Sequence, residues 1–141
     1  MKKLLMAALG LVGTVGCGAV IDLAQPDTTA VELVNDGEFD VDVTLYISDN
    51  QETIEELLTE TGTKLEYWVP AGDTVRFSRD CDVLQAIVIE NAELMLVGEI
   101  GPETGSEVLR DGSDFFCGDT IVFTFTHSGA IVDFDVSTSF Q

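Results

Sequence analysis

His127 is the chain's only histidine, it stands beside Ser128 between two apolar runs, and 26 of the 141 residues are acidic. A neighbouring histidine and serine raise the question of nucleophilic catalysis. A triad, however, needs the imidazole within reach of the hydroxyl and a third group to orient it, and adjacent residues on a hairpin tip do not meet in that way. No glycine-rich nucleophile elbow surrounds Ser128, so His127 reads as a turn residue. Paired carboxylates could serve glycoside hydrolysis, but acids this numerous single out no pair. Hard cations suit the acids better. Calcium takes oxygens from carboxylates and carbonyls, and Asp111-Gly112-Ser113-Asp114 with Asp119 offers them around a glycine turn, although without the alternating acids and distal Glu of an EF-hand. Asp111, Asp114 and Asp119 are therefore the candidate calcium ligands. The chain is expected to be no enzyme and to carry no cofactor.

The cysteines take their meaning from the first residues. Met1-Lys2-Lys3 is a basic start, residues 4–12 are an apolar run, and residues 13–16 are mostly small, the layout of a secretory signal. A bilayer span needs about 20 apolar residues, whereas this run meets Cys17 and turns polar at Asp22. Val15 and Gly16 ahead of Cys17 make the segment resemble the lipobox of bacterial lipoprotein precursors, with Thr14 where leucine is usual. The resemblance implies a lipidated Cys17 as the mature N-terminus. Gly18 after it points by the same resemblance to the outer membrane, with periplasmic or surface display left open. An ordinary cut after Ala19, releasing a soluble protein, is the alternative. Two or more acyl chains give stable anchoring. With Cys17 assigned to the anchor, Cys81 and Cys117 remain, and an exported protein most simply joins them. One histidine and two oxidised cysteines do not make a zinc site. The expected division is residues 1–16 as signal, 17–28 as anchor and tether, and 29–141 as one domain.

Composition limits the partners. Loss of Lys2 and Lys3 leaves four basic residues against 26 acidic ones, a formal charge of −22. Phosphate backbones are bound by clustered Lys and Arg, so nucleic acid is excluded. Such acidity serves solubility in a salty medium, or divalent cations where it clusters locally. Disorder is excluded by the 45% apolar content, arranged as it is in strand-like runs.

These runs are the elements that must position any site. Residues 29–35 and 39–48 flank Asn35-Asp36-Gly37-Glu38, a tight-turn sequence. In the second run Val41, Val43, Leu45 and Ile47 alternate with Asp40, Asp42, Thr44 and Tyr46, the period of a strand with one wet face. Residues 51–62 are the one helical candidate, with Thr53 and Glu56 as a capping box and Gly62 as the stop, crossing an end of the sheets. Residues 65–69 and 74–77 form the next pair around Pro70-Ala71-Gly72-Asp73, with Tyr67 and Trp68 on opposite faces. The string from Pro70 to Phe77 resembles a strand entry of cupredoxins and other Greek-key sandwiches; the single histidine rules out blue copper. Residues 83–90 are apolar on both faces, as in a covered central strand. Asn91-Ala92 is expected to turn the chain into residues 93–97. Residues 119–126 and 131–138 close it as a hairpin through 127–130. About eight short strands and one helix predict an all-β antiparallel sandwich, immunoglobulin-like or Greek-key.

Residues 98–116 break every period, and loops this long are functional or mobile. Glu99, Glu103, Arg110, Asp111 and Asp114 are its candidate binding residues. Arg79-Asp80 precedes Cys81 and Arg110-Asp111 precedes Cys117, so a disulfide gathers two Arg-Asp pairs. They would serve as ion pairs fixing the loop, or as a site for an anionic ligand or glycan. The expected function is a non-enzymatic envelope lipoprotein that displays its sandwich to an envelope protein or glycan. The alternative is a small-ligand or calcium-binding lipoprotein. An interaction module should expose an apolar or aromatic patch near the loop or Tyr67.

Overall fold

A computed structural model describes residues 27–129 and 133–141. Two sheets face each other. One has the order β4-β1-β8-β9, with β1 Thr28–Asn35, β4 Thr74–Asp80, β8 Thr120–Thr126 and β9 Asp135–Phe140. The other runs β3-β2-β5-β6, with β2 Val41–Ser48, β3 Thr63–Val69, β5 Ala86–Leu94 and β6 Glu103–Thr104, and β7 Leu109–Arg110 also pairs with β5. All pairings are antiparallel except β1 with β8, which run parallel. The core fills the space between the sheets. Val31, Leu33, Ile121, Phe123 and Phe125 from the first meet Val43, Leu45, Ile87, Ile89 and Leu94 from the second. The all-β sandwich read from strand periodicity is the fold of this chain.

Two expected hairpins are sheet crossings instead. β1 and β2 lie in different sheets, as do β3 and β4. The turn sequences are where turns were expected, but each carries the chain over the core. Asn35 explains the first crossing: its buried Nδ2 donates to the carbonyls of Phe39 (2.7 Å) and Val69 (3.0 Å), and its Oδ1 accepts from Gly37 N–H (3.0 Å). The side chain thus ties the end of β1 to the end of β3 in the opposite sheet.

Asn91-Ala92 does not turn the chain either. β5 continues through it to Leu94, and the register against β2 skips Glu90, since Leu45 pairs with Ile89 and Thr44 with Asn91. One extra residue inverts side-chain parity. Before this bulge Ile87 and Ile89 enter the core, and after it Ala92 and Leu94 do. Ala86 and Val88 consequently face outward, where they are buried with Leu58 of the helix α1, Glu55–Thr61. That explains a strand apolar on both faces. It also places α1 against the outer face of the second sheet, and not across the ends of the sheets.

Thr53 does not cap the helix. Ile54 is the N-cap without a side-chain bond, and Thr53 Oγ1 lies 3.2 Å from Ser48 Oγ. Gly62 does end it, for a reason of space. A Cβ there would lie 2.4 Å from the Leu58 carbonyl oxygen and 2.8 Å from that of Ile47, closer than backbone atoms allow.

The registers define two ends. Thr28 pairs with Asp80 and Ala30 with Thr120, while Thr120 exchanges both backbone hydrogen bonds with Gln141. The start of β1, Cys81, Cys117 and the last residue therefore share one end, the entry end. Residues 35–40, 70–73, 95–102, 127–129 and 133–134 form the far end. The last hairpin is longer-looped than expected, because Thr126 pairs with Asp135.

Candidate functional site

Cys81 and Cys117 are joined, with Cα atoms 5.4 Å apart. Cys81 follows β4 and Cys117 precedes β8, the two neighbours of β1, so the bridge arches over the start of β1. Its backbone confirms the position: Cys81 N–H donates to Asp27 O at 2.8 Å. The expected signal, residues 1–16, the lipidation site Cys17 and the tether up to residue 26 lie outside the described residues.

The expected binding loop is not one site. Residues 98–116 run along β5 from the far end to the entry end as a broken edge strand. Pro102 O accepts from Leu94 N–H, Ser106 N–H donates to Ile89 O while Ser106 Oγ accepts from Ile89 N–H, and Asp111 N–H donates to Gln85 O. Glu99 and Glu103 are left towards the far end, while Arg110, Asp111 and Asp114 gather at the entry end. There Asp114 Oδ2 accepts from Arg110 N–H at 2.8 Å and Asp119 Oδ2 from Phe116 N–H at 2.9 Å. These carboxylates close turns. The expected calcium grouping of Asp111, Asp114 and Asp119 does not form: among the described residues, no three His, Cys, Asp or Glu side chains gather closely enough to hold a metal ion.

The two Arg-Asp pairs also divide. Arg110 donates to the carbonyls of Gln51 (2.7 Å) and Thr53 (2.6 Å), which fixes the segment between β2 and α1. Arg79 lies over the Phe77 ring, 5.1 Å from its centroid, and donates to Ser78 O. Ion pairs form elsewhere, between Arg76 and Glu32 and between Lys64 and Glu66. The hydrogen bond and charge of Glu66, helped by Tyr46 and Glu90, raise the Lys64 pKa above its ordinary value. That contribution is present at neutral pH and is lost as pH rises through the raised value; exposure of the pair to solvent keeps it small. Because a guanidinium docked on two carbonyls fixes two segments at once, Arg110→Ala should cost about 1–2 kcal/mol and speed amide exchange in residues 49–54. Unchanged exchange there would show that the contact holds nothing.

His127 is likewise spent on backbone. Nε2 accepts from Glu38 N–H at 3.0 Å, which leaves Nδ1 to donate to Ser128 O at 2.8 Å, and the ring packs on Phe39. Gly37 is required beneath it, since a Cβ would stand 2.6 Å from Cδ2. The Ser128 hydroxyl is not a partner of the ring.

Of the neighbours Tyr67 and Trp68, Trp68 is the exposed one and Tyr67 faces in. Tyr67 stacks on Phe77, with centroids 5.0 Å apart, and the pair closes the edge of the sandwich between β3 and β4. Trp68, on the outer face of the second sheet, is 51% exposed. Its Nε1 donates to Asp40 Oδ2 at 3.0 Å, and Asp40 Oδ1 accepts from Ala71 N–H at 2.9 Å. A carboxylate from the β1–β2 crossing, held by Ala71 of the β3–β4 turn, thus fixes the indole in the open. α1 covers the entry half of this outer face, through Leu58 on Ala86 and Val88. The far half stays uncovered, with Asp42, Thr44, Asn91 and Glu93 around Trp68 on the neighbouring strands. Val97 and Ile100, 98% and 87% exposed, project from the far-end turn after β5, and Val83, Phe116 and Phe140 are exposed at the entry end. Alternation placed Tyr67 and Trp68 on opposite faces. Which of them faced in depended on β3 being an edge strand, which no local pattern reports.

No known family matches the sequence, and no curated protein matches it. Among solved structures the chain is similar to an NMR structure of a protein from Eubacterium rectale, with 13% identity, 81% of this chain and 90% of that chain covered, and a TM-score of 0.43. Among the described residues no helix is long and apolar enough to cross a membrane.

Proposed function

We propose that this chain is an exported lipoprotein of the cell envelope, anchored at Cys17, whose acidic sandwich is a non-enzymatic module for binding an envelope protein or glycan. The observation that carries the interaction reading is Trp68, held exposed by Asp40 on the uncovered half of a sheet face. Aromatic rings fixed in solvent at an uncovered surface are typical anchors of interfaces. The Cys81–Cys117 bridge supports the anchor, because it accounts for two of three cysteines and suits an oxidising compartment. A tether entering beside the bridge turns Val83, Phe116 and Phe140 toward the membrane and the far end away from it. Outer-membrane anchoring follows from Gly18 by the lipoprotein resemblance.

Expression in a bacterium, membrane fractionation and intact mass decide the anchor. Wild type should sediment with membranes and carry acyl mass on Cys17, and Cys17→Ser should lose both. A mature N-terminus beyond Cys17, without added mass, would overturn the anchored reading.

A further inference from the structure

The uncovered half-face carries a line of side chains whose chemistry specifies its occupant. Trp68 on β3 pairs with Asp42 on β2, Asp42 with Glu93 on β5, and Glu93 with Glu103 on β6. Directly paired residues point to the same side of a sheet, and Asn91 Nδ2, which donates to Glu103 Oε1 at 3.3 Å, confirms this for the last strand. At about 4.8 Å per strand the line is roughly 14 Å long. Like charges placed directly opposite are destabilising, and here three carboxylates adjoin in succession. Among the described residues no Lys or Arg pairs with any of them, the nearby Lys64 being held by Glu66. The line ends on an indole face, which attracts a cation through its quadrupole. Asp40, bonded to the indole N–H, fixes the ring, which is half exposed.

We propose that this face docks an extended, basic segment of a partner protein laid across the strands. Its Lys or Arg side chains lie against Asp42, Glu93 and Glu103, and one stacks on Trp68. Alternate residues of an extended chain are about 6.6 Å apart, so three basic residues at every second position span about 13 Å, enough to reach from Trp68 to Glu103, with the long Lys or Arg stems taking up the difference from the strand spacing. Charge complementarity selects this occupant over an anionic surface, which the same carboxylates repel. A neutral glycan could stack on the indole but would leave the carboxylates unpaired. The inference deepens the interaction reading above and does not depend on lipidation.

The test uses the purified mature protein and a twelve-residue peptide of alternating Arg and Thr. Trp68 is the chain's only tryptophan, so its emission reports occupancy directly, with calorimetry for variants that lack it. Saturable binding is expected. Trp68→Ala should weaken it about tenfold, and Asp42→Asn with Glu93→Gln by at least about tenfold. Asp82→Asn with Asp111→Asn, which removes the same charge at the entry end, should change it less than about twofold. Urea midpoints confirm that each variant is folded. Equal weakening by both charge pairs would reduce the effect to diffuse attraction and overturn the site. So would absence of saturable binding, or a neutral chitin-type oligosaccharide shifting Trp68 emission where the peptide does not. A negative result here leaves the acyl mass on Cys17 unchanged, so failure of the docking face and failure of the anchor are read separately.

Discussion

Replacing Cys81 and Cys117 together by Ser is expected to lower the unfolding free energy by about 4 kcal/mol, from the loss of loop-closure entropy across a separation of 36 residues. A domain of this size is stabilised by only about 5–15 kcal/mol in total, so the variant should approach the margin of folding. The location adds to the effect. The bridge joins the strands on either side of β1, and without it the start of β1 is held by the Cys81 N–H bond to Asp27 and by the ends of two ladders. Urea denaturation with and without dithiothreitol checks this: reduced wild type should match the double variant. An unmoved midpoint would show that the unfolded chain gains little freedom from reduction.

Asn35→Ala should cost about 3 kcal/mol, because it strips partners from three backbone groups at a buried crossing. Asn35→Asp should be worse. The carboxylate keeps an acceptor for Gly37 N–H but turns an oxygen on the carbonyls of Phe39 and Val69, where a donor is needed. Both variants should lower the urea midpoint and also release the strand end beside Trp68, seen as a red shift of its emission before global unfolding. A midpoint within experimental scatter of wild type would mean that water replaces the amide at no cost.

What the sequence disclosed follows the range over which each signal acts. Period-two alternation is written into the strand itself, so the core face of β2, with Val41, Val43, Leu45 and Ile47, is legible from the sequence. Turn chemistry is also local, and it located the bends at residues 35–38 and 70–73. It did not say whether the chain returns along its own sheet or crosses to the other, because that choice depends on Asn35 finding the carbonyl of Val69, 34 residues away. Asn91 has the chemistry of a turn, but the chain bulges at Glu90 and continues; the deciding signal is the parity change between Ile89 and Ala92, visible in the apolar pattern. Thr53 has the chemistry of a cap but a nearer partner in Ser48. The candidate surface was the least legible part. Asp42, Glu93 and Glu103 are scattered in sequence and become a line only through the strand order β2-β5-β6 and a one-residue bulge.

The position of β1 has a mechanical consequence. A pull on the chain ahead of Thr28 draws β1 lengthwise between β4 and β8, to which it is bonded along its whole length. Such a load shears both ladders at once, so their bonds resist together, whereas a strand peeled from an edge breaks them singly. Since Cys81–Cys117 fastens those two neighbours to each other beside the start of the strand, such a pull cannot spread them apart. Under the proposed anchoring at this end and docking at the far end, that load would fall on both ladders of β1 together.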